Sequence, residues 1–240
     1  MTEFGSKVEP LANIKDHHVV RAIFGSHEPE VMDAPRGTVI YERDNYATPL
    51  LVVSGRLARQ TSSPYVEMPF THSLAGPGDI LIEGLPDQAS LVRTVAERDS
   101  SFIPLPFDDL EALVYQNTEG GRLIFAQLLN TRRQGTELAH MARFGLNAPT
   151  NKAASALIKY GPFAKRIQTP DKEVWDISSA ATQSEIAQAA GMDRHSLNNV
   201  ALGKLESKRV IERPLNKNRT RRIQVVDVAL LEQLADPTRI

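Results

Sequence analysis

The stretch TQSEIAQAAGMDRHSLNNVALGKLESKRV, residues 182–210, constrains the fold more than any other part of the chain. Thr182 and Glu185 have the spacing of a capping box and predict a helix beginning at Gln183. Ile186, Ala187 and Ala190 give that helix an apolar side. Gly191 comes next, where the helix has to end and the backbone has to turn through a positive φ. Asp193 is placed to cap a second helix, whose Leu197, Val200, Ala201 and Leu205 are spaced for one buried face. The other face carries Arg194, His195, Asn198 and Asn199. Arg and Asn are the side chains that pair two-pronged with guanine and adenine edges in a major groove. A helix that buries one side and offers such groups on the other is what a helix–turn–helix DNA reader requires. Two ordinary surface helices would show the same periodicity, so the reading depends on what surrounds the pair.

Directly after the pair, Val210–Arg213 and Arg222–Val226 are two expected strands joined by the loop PLNKNRTR. Lys217, Arg219 and Arg221 lie in that loop and Arg222 comes just after it. A hairpin with a basic tip directly behind a recognition helix suits a wing that touches phosphates; a solvated charged hairpin is the alternative. From Thr150 onward the chain carries 15 Lys and Arg against 10 Asp and Glu, whereas the residues before it hold 13 against 19. A basic C-terminal part behind an acidic N-terminal part fits a DNA-binding domain joined to a domain with another task.

The 240 residues have room for two modest domains. Absence of cysteine excludes disulfides, thiolate nucleophiles and cysteine-ligated iron–sulfur clusters. No apolar run approaches the ~18 residues of a membrane helix, and the N-terminus lacks a signal-peptide pattern. The expectation is a soluble cytoplasmic protein without membrane partners. There is no Gly-x-Ser-x-Gly elbow, phosphate-cradling glycine loop or metal-ligand pair, so neither an enzyme, a metal nor a cofactor is expected.

Between Val31 and Pro106 short β-rich runs recur: Thr38–Tyr41, Leu50–Val53, Arg56–Gln60, Ser90–Ala96 and Ser101–Leu105. Turn clusters such as Ser54–Gly55 and Gly76–Pro77–Gly78–Asp79 separate them, as in a β-barrel. Asp108–Tyr115 then suits a short helix, and a longer one is expected from about Arg122 to Phe144. Along it Ile124, Leu128, Thr131, Gly135, Leu138 and Ala142 recur at alternating spacings of four and three. This seam predicts pairing with a second copy of the helix, with part of the stripe packing on its own barrel. Gly135 would let two backbones approach closely. Pro149 breaks the helix, and Asn151–Tyr160 reads as another. The expected domains are a β-barrel at 1–117, a dimerisation helix and hinge at 118–147, and a winged helix–turn–helix at 148–240.

This order resembles that of the cyclic-AMP-receptor/FNR-type (CRP/FNR) bacterial transcription regulators. The resemblance runs from about Pro35 to Val226. It is carried by Gly37–Thr38–Val39–Ile40–Tyr41, Val53–Ser54–Gly55–Arg56–Leu57, Gly76–Pro77–Gly78–Asp79–Ile80 and the segment ATQSEIAQAAGMDR. It implies an α+β fold: a cyclic-nucleotide-binding-like β-barrel (jelly roll), a long dimerisation helix and a C-terminal winged helix–turn–helix. It also implies a homodimer on a palindromic operator in double-stranded DNA, with a small-molecule effector as a further partner. RNA polymerase would be another partner of an activator; nothing in the sequence marks activation or repression.

Two departures from the family pattern matter. In members that bind a cyclic nucleotide, a Gly-Glu-Leu segment meets the ribose and an Arg with a hydroxyl neighbour grips the phosphate. Here Glu83 falls at the ribose position, but Gln88 and Ala89 stand where the phosphate-binding pair belongs. A buried phosphate without a cation faces a large desolvation cost, which argues for an effector other than cyclic AMP, between barrel and long helix. Arg93, Tyr41 or His72 could serve as a polar anchor for it, and nothing in the sequence selects among them. Haem sensing would need an axial ligand, and His17, His18, His27, His72 and His140 are scattered without a paired partner. A cyclic-nucleotide- or haem-responsive regulator and an effector-independent one stay as alternatives, as does an interaction module whose helix–turn–helix has turned to protein binding.

The second departure lies in the recognition helix. The family's frequent Arg-Glu-x-x-x-Arg is here Arg194, His195 and Asn199, which implies a different half-site. The candidate DNA contacts are Thr182, Gln183, Arg194, His195, Ser196, Asn198, Asn199 and Lys204, with Lys217, Arg219 and Arg221 in the wing.

Overall fold

The computed structural model describes residues 14, 17–42, 48–62, 70–81, 91–116, 121–122, 124–125, 148–170, 172–215 and 221–235. They fall into two compact units, one built around Val8–Pro64 and His72–Thr136, the other around Glu137–Ile240.

In the first unit eight strands form two antiparallel sheets. The strands are β1 (Met32–Ala34), β2 (Val39–Glu42), β3 (Leu50–Ser54), β4 (Leu57–Ser62), β5 (Phe70–Ala75), β6 (Ile80–Leu81), β7 (Leu91–Ala96) and β8 (Ser100–Pro104). One sheet runs β1-β8-β3-β6 and the other β2-β7-β4-β5. This two-sheet arrangement is the jelly-roll form of the expected β domain. The expected runs reappear within a residue or two, while β1, β5 and β6 are additions.

The first sheet is buried on both faces, and strand alternation sorts its side chains. Leu50, Val52, Leu81 and Phe102 pack with Leu57, Ala75 and Ala96 of the second sheet. Leu51, Val53, Ile80 and Ile103 face helices: Val19 and Val20 from α1 (His18–Phe24), and Leu110 and Leu113 from α2 (Phe107–Tyr115). That is why β3 is apolar at four successive positions instead of alternating.

Ile124 belongs to the helix-facing cluster, with 1% of its surface exposed. This corrects its assignment to the dimer seam: the side chain is consumed by the core of its own unit. Leu128, Thr131, Gly135, Leu138 and Ala142 lie outside the described residues.

At the Gly55 turn a glycine is required. Gly55 has φ 78°, and a Cβ there would stand 2.2 Å from the Asp99 carbonyl oxygen. Next to it Arg56 is buried, its Nε donating to Glu97 Oε2 at 3.0 Å and its backbone N–H to Ser100 Oγ at 2.9 Å. The two turns therefore lock together through one buried ion pair and a close backbone approach.

The second unit opens with α3 (Pro149–Tyr160). Pro149 sits in its first turn, where a missing N–H costs nothing. Ala153, Ala154, Ala156, Leu157 and Tyr160 make its buried side. After it come β9 (Lys165–Gln168) and β10 (Glu173–Asp176), a hairpin absent from the expected elements. Its signal is the turn: Pro170 comes after Thr169, whose backbone N–H donates to the Lys172 carbonyl at 2.9 Å. The helix–turn–helix is next, as α4 (Gln183–Ala189) and α5, a rod of three abutting helical segments, Arg194–Ser196, Leu197–Leu202 and Gly203–Ser207. Then come β11 (Ile211–Glu212), β12 (Gln224–Val225) and α6 (Val228–Ala235). The sheet order is β11-β12-β10-β9, so the wing strands extend the earlier hairpin. Among the described residues no helix is long and apolar enough to cross a membrane.

The packing of the first unit can be tested at two positions. Ile124→Ala should cost about 2–5 kcal/mol in urea unfolding of the full chain, the usual range for emptying a core site. His17, stacked on His18 at 4.8 Å, is held below its ordinary pKa of 6.5 by burial first and by His18 second, against a backbone contact with Gly78. A folded-state pKa below the unfolded one gives stability that is complete above pH 6.5 and is lost as pH falls through the folded-state value. His17→Gln should therefore melt less steeply with falling pH than the unaltered protein between about pH 7 and 5.

Candidate nucleic-acid interface

The start of α4 is the expected capping box: Glu185 N–H donates to Thr182 Oγ1 at 3.3 Å and Thr182 N–H donates to Glu185 Oε2 at 2.7 Å. Ile186, Ala187 and Ala189 are buried beneath the helix. Gly191 takes φ 59° in the turn. Asp193 Oδ1 then accepts from Ser196 N–H at 2.9 Å, and its other oxygen from the Ser196 hydroxyl. These bonds to Ser196 hold the Asp193 carboxyl below its ordinary pKa.

The second helix of the pair, expected from sequence to be the recognition helix, is α5. Arg194–Ser196 is α-helical, Leu197–Leu202 is a π-helix and Gly203–Ser207 is α-helical again. A π turn bonds i to i+5 and so holds one residue more than an α turn. The buried set is Leu197, Ala201, Leu202 and Leu205. Val200, expected in that set, is exposed instead, and Leu202 takes the inner place. The helix packs inward on α3.

Its outer face is a connected polar surface. Gln183 Oε1 accepts from Asn198 Nδ2 at 3.0 Å and from Arg194 Nη2 at 3.4 Å, tying the first helix to the second. Asn198 Nδ2 also donates to the Arg194 carbonyl at 3.1 Å. One residue further along, Asn199 Nδ2 lies 3.1 Å from each of the two His195 ring nitrogens. Thr182, Arg194, His195, Asn199 and Lys204 are exposed, while Gln183, Ser196 and Asn198 are half-buried. Hydrogen bonds thus join Gln183 with Arg194 and Asn198, and His195 with Asn199, while Thr182 and Lys204 are exposed on the same two helices. Ser196 is occupied there as the partner of Asp193, a capping role that competes with base contact.

In the wing, Arg221 is exposed and its backbone bridges Leu215 across the hairpin. Lys217 and Arg219 lie outside the described residues. Arg222 does not join them as a free cation. Its Nη2 is 2.9 Å from Oδ2 of Asp176, a carboxylate fully buried at the end of β10. Burial pushes Asp176 above its ordinary pKa, while Arg222, Lys165 and the Ser178 backbone pull it back. Arg213 is likewise committed, to Glu206 at 2.6 Å. Sequence reading missed Asp176 because it lies 46 positions before its partner, beyond any local pattern.

Of the effector candidates, Glu83, Gln88 and Ala89 lie outside the described residues. Arg93 donates from Nε to Gln60 Oε1 at 2.8 Å, a cross-strand bond within its own sheet. Tyr41 pairs with Thr94, the neighbour of Arg93, so strand alternation puts Tyr41 and Arg93 on opposite faces. One pocket on either face of this sheet would therefore take Tyr41 or Arg93, not both.

No family model and no curated protein matches the chain. Solved structures do match in fold. A CooA mutant from Carboxydothermus hydrogenoformans is 15% identical with a TM-score of 0.63, covering 87% of this chain and 88% of that one. FixK2 from Bradyrhizobium japonicum is 16% identical with a TM-score of 0.60, covering 88% and 98%. A CRP/FNR-family transcriptional regulator from Thermus thermophilus is 22% identical with a TM-score of 0.53, covering 86% and 98%. The chain therefore has the fold of the CRP/FNR regulators over most of its length.

The Asp176–Arg222 pair predicts an asymmetry. Arg222→Ala leaves a buried carboxylate without its closest cation, whereas Asp176→Asn leaves a guanidinium that water still reaches. Arg222→Ala should be the costlier change, by about 1.5–3 kcal/mol at neutral pH in urea unfolding. Because the Asp176 pKa is already raised, that penalty should shrink as the pH falls and the carboxyl takes up a proton.

Proposed function

We propose that this protein is a CRP/FNR-type transcription regulator, not an enzyme, that binds duplex DNA sequence-specifically as a homodimer. The observation that carries the reading is the outer face of α5. Arg194, His195, Asn198 and Asn199 lie on that helix, Arg194 and Asn198 tied to Gln183 of the preceding helix and Asn199 against His195, with a wing following in the chain. Arg and Asn supply two-pronged donors and acceptors for guanine and adenine, and the Gln183 amide holds two of these side chains in place before DNA arrives. The fold shared with known regulators supports the same class.

The domain division 1–117, 118–147 and 148–240, the dimer and the effector are parts of this proposal that rest on sequence. Gln88 and Ala89 at the phosphate-binding positions favour a small effector other than cyclic AMP. His195 and Asn199 favour a palindromic half-site unlike one read by Arg-Glu-x-x-x-Arg.

Selection from random duplex DNA with the full chain tests the reading. Enrichment of a palindrome with half-site centres about one helical turn apart is the expected result. Arg194→Ala should lose roughly 1–3 kcal/mol of discrimination between the selected site and a scrambled one. Arg221→Ala should weaken all sequences alike and reduce the slope of log affinity against log salt by about one. Binding that is independent of both sequence and salt would overturn the proposal.

A further inference from the structure

The π segment of α5 reverses the places of two aliphatic side chains. On an unbroken α-helix each residue advances ~100°. Val200, three residues beyond Leu197, would then sit roughly 60° from it on the buried face. Leu202, five beyond, would sit roughly 140° away, toward the polar side. The opposite is observed: Leu197, Ala201, Leu202 and Leu205 are each 0% exposed, and Val200 is 39% exposed. The extra residue of the π turn brings Leu202 inward and turns Val200 outward, beside Asn199 and one turn before the exposed Lys204.

We propose that Val200 is a specificity-determining residue, an apolar contact for the C5-methyl group of a thymine in the major groove. This rests on the DNA-binding reading above. The thymine methyl is the apolar group that base edges offer in that groove, and it is read by apolar side chains. The occupant is also set by charge. From Arg194 to Lys204 the helix contains two cations and no carboxylate, so the surface around Val200 suits a polyanion better than an acidic or apolar protein face. Asn199, next along the helix, carries the group that pairs with adenine, and His195 lies against it. Val200 contributes little to folding at this exposure, and a β-branched residue is a poorer helix former than Ala.

The test uses the full chain and a site chosen by selection from duplex DNA. Each thymine is replaced in turn by uracil, which lacks only the methyl group. The expected result is one thymine per half-site whose replacement weakens binding about fourfold, the worth of one buried methyl. Val200→Ala should lose a similar factor on the thymine site and show no further loss on the uracil site at that position. Its melting temperature should stay level or rise; if it falls, Val200→Ser, which likewise lacks both γ-methyl groups, takes its place in the same cycle. A flat uracil scan, or a full uracil effect retained in the Val200 variant, overturns the assignment while leaving sequence-specific binding intact. Failure to enrich any duplex overturns the DNA-binding reading itself.

Discussion

Burial of Leu197, Ala201, Leu202 and Leu205 is the constraint on which the C-terminal unit depends. These side chains fix how α5 is rolled against α3, and the roll decides which groups reach outward. Fully burying side chains of this size is worth about 1.5–3 kcal/mol each for the larger ones. That outweighs the weaker hydrogen bonding of a π segment, so the helix accepts the irregularity and keeps its packing. The polar surface is then a consequence of the apolar one. Asn198 and Arg194 meet Gln183 because the two helices are clamped at that angle by what lies beneath them.

The same logic runs through the wing and the jelly roll. Asp176 is buried at the end of β10 and pairs with Arg222 at the base of the wing, beside the exposed Arg221. In the N-terminal unit the buried Arg56–Glu97 pair fixes two turns against each other, and the Gly55 backbone fits where a side chain would collide. In both places a buried charge costs desolvation, and an ion pair together with neighbouring polar groups offsets it.

Local signals were legible in the sequence wherever a few neighbouring residues suffice. The capping box at Thr182 and Glu185, the positive φ at Gly191 and the cap at Asp193 involve partners no more than three or four positions apart, and each stands as expected. The same holds for β3, β4, β7 and β8, whose apolar runs and flanking turns mark them. The hairpin Lys165–Asp176 has a turn signal at Thr169–Pro170, but β9 is half-buried along most of its length and so shows no alternation that marks a strand.

Sequence by itself therefore determined the order of a β-rich part before a helix–turn–helix, and the identity of the groups its second helix offers. Tertiary structure decided which of them face inward. Val200 and Leu202 exchange places, Ile124 goes to its own core, Arg222 goes to Asp176, and Tyr41 and Arg93 part to opposite faces. The physical reason is common to all four. Periodicity states that a side chain repeats on a face, but the register against a distant element determines which face is buried. That register is set by packing and buried charge, which join residues far apart in the chain.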